Sequence, residues 1–244
     1  MPFSLPSDFD ISQGIAIAFL FAAWFSYAAI LRVISSGSLN AQLSTVRTQW
    51  LEASLSRAQK PFDAILLGNM VNSIAFFGSA TLIVLAGTIT LFASVRAVYD
   101  TVLALPFMSH TSFELFVSHM AVLNLTLAIA FFSFTYALRK LIYVLALVGA
   151  LPEGQLDDAQ KVQSDIMVRS ASVVLTEALK TFNFGIRGYY YFVAALGLFI
   201  SPYVCVGLTF FMTATLLYRQ VATKTSSAIK DYVAAIKKYH ETLE

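Results

Sequence analysis

The sequence predicts an all-α polytopic membrane protein, a four-helix transmembrane bundle whose connections are interfacial and cytoplasmic helices. Three observations lead there. Of the 244 residues, 58% are hydrophobic and only 12% are charged, half the roughly 25% that keeps a soluble domain wetted. Mean hydropathy is +0.72. Four separate uncharged runs each reach the length of about 20 residues that crosses some 30 Å of hydrocarbon.

The first run, about residues 11–34, has no charge before Arg32. Asp8 and Asp10 stand where a signal peptide would carry basic residues, and no small-x-small cleavage site follows. The run is therefore expected to be a retained helix. Residues 35–60 read as an amphipathic helix. Leu39, Leu43, Val46 and Trp50 share one face, and Arg47, Gln49, Glu52 and Arg57 point largely elsewhere. Such a helix either lies in the membrane interface with Trp50 as anchor or packs on the rest of the protein. The second span, about 64–94, is uncharged between Asp63 and Arg96, and the third, about 115–140, ends at Arg139-Lys140.

The connection 153–186 opens on Asp157 and Asp158, which suit a solvated helix amino terminus. Val162, Ile166, Val173 and Val174 continue an apolar helical face, and Asn183 and Gly185 are expected to weaken the helix before the fourth span. That span covers about 189–218, between Arg187 and Arg219, and it contains the single cysteine, Cys205, read as a packing residue. Ser201-Pro202 offers an alternative, in which a turn makes the segment a re-entrant hairpin. The polar tail, 220–244, reads as a helix with Ile229, Val233, Ile236 and Tyr239 on one side. With four crossings, ten Lys and Arg residues fall on the side of the two large connections and six on the other. The positive-inside rule then places those connections in the cytoplasm and both termini outside. The whole is read as a single domain in a bacterial inner membrane or plasma membrane.

Four local patterns carry a resemblance. One is Asp10 followed by Trp24 and Tyr27. Another is Arg47-x-x-Trp50 ahead of a second span that holds Asn69, Asn72, Phe76, Phe77 and Ser79. A third is Leu138-Arg139-Lys140 with Tyr143, Gly149 and Pro152. The most specific is Phe182-Asn183-x-Gly185-Ile-Arg187-Gly-Tyr189-Tyr190-x-Phe192, followed by Ser201-Pro202 and Leu217-Tyr218-Arg219. Together they resemble the bacterial and plant membrane family called domain of unknown function 599, over about residues 8–225. The chain departs from that pattern at Gln220, where an acidic residue is expected, and at Leu198, where an aromatic is expected. The resemblance implies a four-helix membrane fold and implies no substrate, cofactor or catalytic residue.

The polar residues of the spans are the candidates for function, because buried polar groups in a membrane need partners or water. Asp63, Asn69, Asn72, Arg139, Asn183 and Arg187 form the candidate cluster. Asn72, about 13 Å along the helix from Asp63, is placed near the bilayer middle. Asp63 is the expected partner of Arg187, with Asn183 second. The cluster reads either as a polar vestibule or as hydrogen bonds between helices, to which Ser73 and Ser79 would add. His110, Glu114 and His119 do not converge as metal ligands. Haem, nucleotide-loop and serine-nucleophile motifs are missing. No enzyme activity, cofactor or metal is therefore expected. A net charge of +2 suggests no nucleic-acid partner. The expected partners are the lipid bilayer and either a second copy of the chain or another membrane protein. Two functions remain open: an oligomeric channel or transporter for an ion or small solute, or a structural or accessory subunit of a larger membrane complex.

Overall fold

The structure, a computed structural model, describes residues 6–34, 39–57, 61–106, 108–152 and 157–242. The ends of the expected 35–60 helix, the start of the 153–186 connection and the last two residues of the tail lie outside them. All regular structure among the described residues is helical. In chain order the helices are α1 Ile11–Ile34, α2 Leu39–Ser56, α3 Pro61–Ala93, α4 Val95–Leu103, α5 Phe113–Gly149, α6 Asp158–Leu196, α7 Pro202–Val221 and α8 Lys224–Glu241. Among the described residues four stretches are long and apolar enough to cross a membrane: α1, α3, α5 and the stretch Pro202–Tyr239, whose apolar part is α7.

The fourth span differs from expectation. The segment 189–218 is not one helix. The α6 helix runs through Asn183, Gly185 and Arg187 without a break, and a 3-10 turn at Gly197–Phe199 then reverses the chain into α7. The reason is local. Ser201 caps α7, its Oγ accepting from the Val204 N–H at 3.2 Å, and Pro202 takes the first helical position, where its missing N–H does no harm. Asn183 and Gly185 are tolerated because the helix is held by packing, which overrides propensity.

The chain divides into two compact units. The first comprises Met1–Ile30, Ser79–Phe132 and Phe184–Leu217. Its core joins Ala16, Leu20 and Trp24 of α1, Phe116, Met120 and Leu123 of α5, Tyr191, Ala194 and Ala195 of α6, and Cys205 of α7. These positions recur at three- and four-residue spacing, and each helix turns one stripe inward. Cys205 packs there as a free thiol. No element is expected from sequence between the second and third spans, yet α4 forms. Its Val95, Val98, Tyr99 and Val102 lie against the core, and Arg96 stacks 4.9 Å from the Phe113 ring.

One end of this unit is tied by polar contacts. Asp10 caps α1, accepting from Ser12 Oγ at 2.7 Å and the Gln13 N–H at 2.9 Å. These bonds hold the Asp10 carboxyl below its ordinary value, so the cap stands at neutral pH and is lost as pH falls through that depressed value. Ser112 caps α5, its Oγ accepting from the Leu115 N–H at 3.1 Å and donating to Asp8 at 2.5 Å. The Ser109 N–H donates to Phe199 O at 3.2 Å, which brings the α6–α7 turn to the same end. Ser112→Ala is expected to lower stability by about 1 kcal/mol, with Ser112→Thr close to wild type in thermal unfolding. Equal melting of the two variants would remove the cap from the account.

The second unit comprises Leu31–Gly78, Ser133–Asn183 and Tyr218–Glu244. Here α2 packs on α6, with Leu51 against Val168 and Ala171, Thr48 Oγ1 2.7 Å from Ser172 Oγ, and Arg47 Nη1 3.4 Å from Thr176 Oγ1. The packing on the rest of the protein that one of the two sequence readings expects is present. The face differs from expectation: Leu39, Leu43, Val46 and Trp50 are half-buried, and Leu51 and Ser54 are the buried positions. The expected α6 stripe is also displaced, because Val162, Ile166 and Val173 are exposed while Ser164, Val168, Ala171, Ser172 and Leu175 are buried. The start of α6 is as read from sequence. Asp157 accepts from the Gln160 N–H at 2.7 Å, and Gln160 accepts from the Asp157 N–H at 3.0 Å, a reciprocal capping box. Helix α8 turns Ile229, Val233 and Ile236 inward and leaves Tyr239 exposed.

Candidate functional site

Charge is distributed unequally between the units. The first holds only Asp8, Asp10, Arg96, Asp100, Glu114 and Arg187, six of the 30 charged residues of the chain. Five of these stand at the start of α1, in α4 and in the first turn of α5. Arg187 is the exception. It lies beside Tyr27, which is 16 residues, or about 24 Å, along α1 from Ile11.

The surroundings of Arg187 are aromatic. Its guanidinium carbon sits 4.5 Å from the centre of the Tyr27 ring and 5.9 Å from that of Phe184. The negative face of an aromatic ring attracts a cation, by about 2 kcal/mol when the pair is desolvated. Trp24 sets this shelf. It stacks on Phe184 at 5.0 Å and on Tyr191 at 5.8 Å, and its Nε1 donates to Phe184 O at 3.2 Å. Gly188 makes the arrangement possible, since a Cβ there would lie 2.8 Å from both Ala130 Cβ and Trp24 Cζ2. The Nε of Arg187 is buried and has no hydrogen-bond acceptor among the described residues. The sequence reading gave this guanidinium a carboxylate or amide oxygen. The neighbours it has are rings.

Asp63, the expected partner, belongs to the second unit and is engaged there. Its Oδ1 accepts from Arg57 Nη1 at 2.6 Å and from Trp50 Nε1 at 2.6 Å. Trp50 is thus a hydrogen-bonded cover on a buried carboxylate. Asp63 is 5% exposed, and its Oδ2 has no partner among the described residues. Pro61 opens α3 two residues before Asp63, and Arg57 directly follows the end of α2 at Ser56.

The other candidates are placed separately. Asn69 and Asn72 are exposed on α3, and Asn69 borders a shallow hollow that also touches Phe182 and Leu179 of α6. Phe77 of α3 stacks on Phe134 of α5 with ring centres 6.0 Å apart, and the helices run antiparallel, so Asn72 falls near the level of Arg139. Arg139 is exposed and donates from Nε to Tyr143 Oη at 2.7 Å. Asn183 is half-buried on α6, one turn before Arg187. Sequence reasoning missed Tyr27, Arg57 and Trp50 as direct neighbours of the two key charges. Tyr27 and Trp50 carried a signal, since both stand in the recurring patterns quoted above. Among the described residues no group of three His, Cys, Asp or Glu side chains is placed to hold a metal.

A chain whose described residues form only helices, four stretches of them of membrane-crossing length and apolarity, has the make-up of a membrane protein. Residues 15–225 match the family described as protein of unknown function, DUF599, and the chain belongs to that family. No curated protein and no solved structure shows significant similarity to it.

Proposed function

We propose that the protein is an integral membrane protein of five crossings that carries or conducts an anion as a homo-oligomer, with Arg187 as the residue the anion meets. One observation supports this above others: the buried Nε of Arg187 has no acceptor among the described residues, and rings rather than carboxylates flank the guanidinium there. A charge at such a position is costly and marks an ion or substrate path by default. A guanidinium without a carboxylate retains its capacity for an anion.

The turn at Gly197–Phe199 supports five crossings. The segment from Phe182 to Ile200 and the helix α7 then cross in opposite directions. Fourteen of the sixteen Lys and Arg residues fall on the cytoplasmic side, Arg96 on the other, and Arg187 within a crossing. That asymmetry is far stronger than the ten to six of the four-crossing arrangement. Oligomerisation is supported by α3, whose outward side bears Gly68, Asn72, Ala75, Ser79, Ala86 and Thr90. Small and polar residues of this kind let helices approach closely in a membrane. A bacterial inner membrane or a plasma membrane is the proposed location.

Proteoliposomes loaded with chloride or nitrate provide the test. Potential-driven anion efflux is expected from the wild type, with a reduction of about tenfold or more in Arg187→Met. Potassium-selective efflux, or a well-folded oligomer that passes neither ion, would overturn the anion reading. A reporter at the carboxyl end is expected in the cytoplasm, whereas the four-crossing arrangement puts it outside.

A further inference from the structure

Within the second unit, a cavity of about 260 Å³ opens between α2, α3 and the end of α5. Its walls are aliphatic for the most part, from Leu55, Leu67, Leu145, Val148 and Leu151. Two polar residues line it, Asp63 and Ser54, and the side-chain oxygens of both are acceptors. Ser54 has already committed its proton, donating to Leu51 O at 2.6 Å. Asp63 has both donors, Arg57 and Trp50, on Oδ1. Its buried Oδ2 is left with no partner among the described residues.

A buried carboxylate oxygen without a donor is costly, because it loses water and gains nothing in return. The ion pair with Arg57, at 2.6 Å, already balances the charge of Asp63. What the cavity lacks is therefore a hydrogen-bond donor and not a second cation. Its volume lies just below the common range for drug-sized ligands, about 300–1,000 Å³, so the occupant is small. We propose that this cavity binds a small neutral molecule with an apolar body and one hydroxyl or N–H group, which donates to Asp63 Oδ2. The site is separate from Arg187 and does not depend on the anion reading.

Gly149 gives a clean way to close the site. It lines the cavity, and a Cβ built there meets nothing within 4 Å. Gly149→Leu therefore places a bulky side chain at the wall of this space while leaving Asp63, Arg57 and Trp50 in place. The probes are 4-propylphenol and its methyl ether, which share an apolar body and differ in the donor. Binding is measured by calorimetry and by melting temperature on the full chain in lipid nanodiscs. Expected are saturable binding of the phenol, binding about tenfold weaker for the ether, and loss of phenol binding in Gly149→Leu with folding unchanged. Asp63→Asn, read alongside, is expected to narrow the gap between phenol and ether. Equal affinity for phenol and ether, or undiminished binding in a folded Gly149→Leu, would overturn the proposal. Tighter binding of 4-propylbenzylammonium than of the phenol would do so too, because the site would then select a cation.

Discussion

Gly197→Ala is expected to destabilise the protein by about 2 kcal/mol and to loosen the α6–α7 turn. A Cβ at this position would lie 2.8 Å from Cys205 N, 2.9 Å from Cys205 Cα and 3.1 Å from the Val204 carbonyl carbon. All three are backbone atoms, so no side chain can swing aside, and the first turn of α7 itself has to move. Overpacking of this type typically costs about 1–3 kcal/mol. Gly207, on the same helix, is the control. A Cβ there meets nothing within 4 Å, and alanine is the better helix former by up to about 1 kcal/mol. Gly207→Ala is therefore expected to be neutral or stabilising. Thermal unfolding of both variants in detergent, followed by circular dichroism, decides the matter. If the two melt alike, the close approach of α6 and α7 is wrong.

Arg187→Met is expected to raise stability by about 1–2 kcal/mol and, under the proposed anion function, to cut anion efflux about tenfold or more. Two opposing effects set the sign. Taking a cation out of water costs several kcal/mol in a real protein even after relaxation. The rings of Tyr27 and Phe184 return about 2 kcal/mol at best, and the buried Nε has no acceptor among the described residues to add to that. Methionine fills similar apolar space without the desolvation penalty. Arg187→Lys keeps the charge and loses the planar group that lies over Tyr27, so it is expected to be less stable than the wild type. Arg187→Met and Tyr27→Leu should couple in a double-mutant cycle, because each removes one half of the same contact. A stability loss in Arg187→Met would mean that the guanidinium is held by something stronger than rings.

Much of the fold was legible because hydrocarbon imposes a simple demand on the chain. The runs 11–34, 64–94 and 115–140 correspond to α1, α3 and α5, although α5 extends to Gly149. The cap of α6 at Asp157 was also legible, as a carboxylate at a helix start. The continuity of α6 was not. Arg187 ended the apolar run in the sequence, so the fourth span was begun after it, and Asn183 and Gly185 strengthened that reading. In the folded chain those residues are interior to one helix, and the break falls at Gly197–Phe199 instead. The Ser201-Pro202 signal pointed to it. The candidate cluster was harder to read. Charge sign suggested that Asp63 meets Arg187, but sequence carries no measure of which cation lies closer. Arg57, six residues from Asp63, reaches it through a short connection, and no periodicity marks that. Nor does hydropathy separate a tryptophan that anchors in lipid from one that donates to a carboxylate, as Trp50 does.

The continuity of α6 through Arg187 bears on how the chain would enter a bilayer under the five-crossing arrangement. The insertion machinery judges each segment by its own apolarity as it emerges. An arginine at the centre of a segment adds about 2.5–3.5 kcal/mol against insertion, and Arg187, five residues into this one, adds part of that. The crossing from Phe182 to Ile200 also carries Asn183, so alone it is a weak start signal and would tend to stay on the cytoplasmic side. The α7 helix is free of charge from Pro202 to Tyr218. Its arrival supplies the apolar surface that the first arm lacks, and the tight turn at Gly197 makes the two arms one object. Biogenesis would then favour delayed, paired entry of α6 and α7. A nascent chain arrested before Tyr203 emerges should leave α6 still accessible to aqueous reagents, and release of the arrest should bury both arms together.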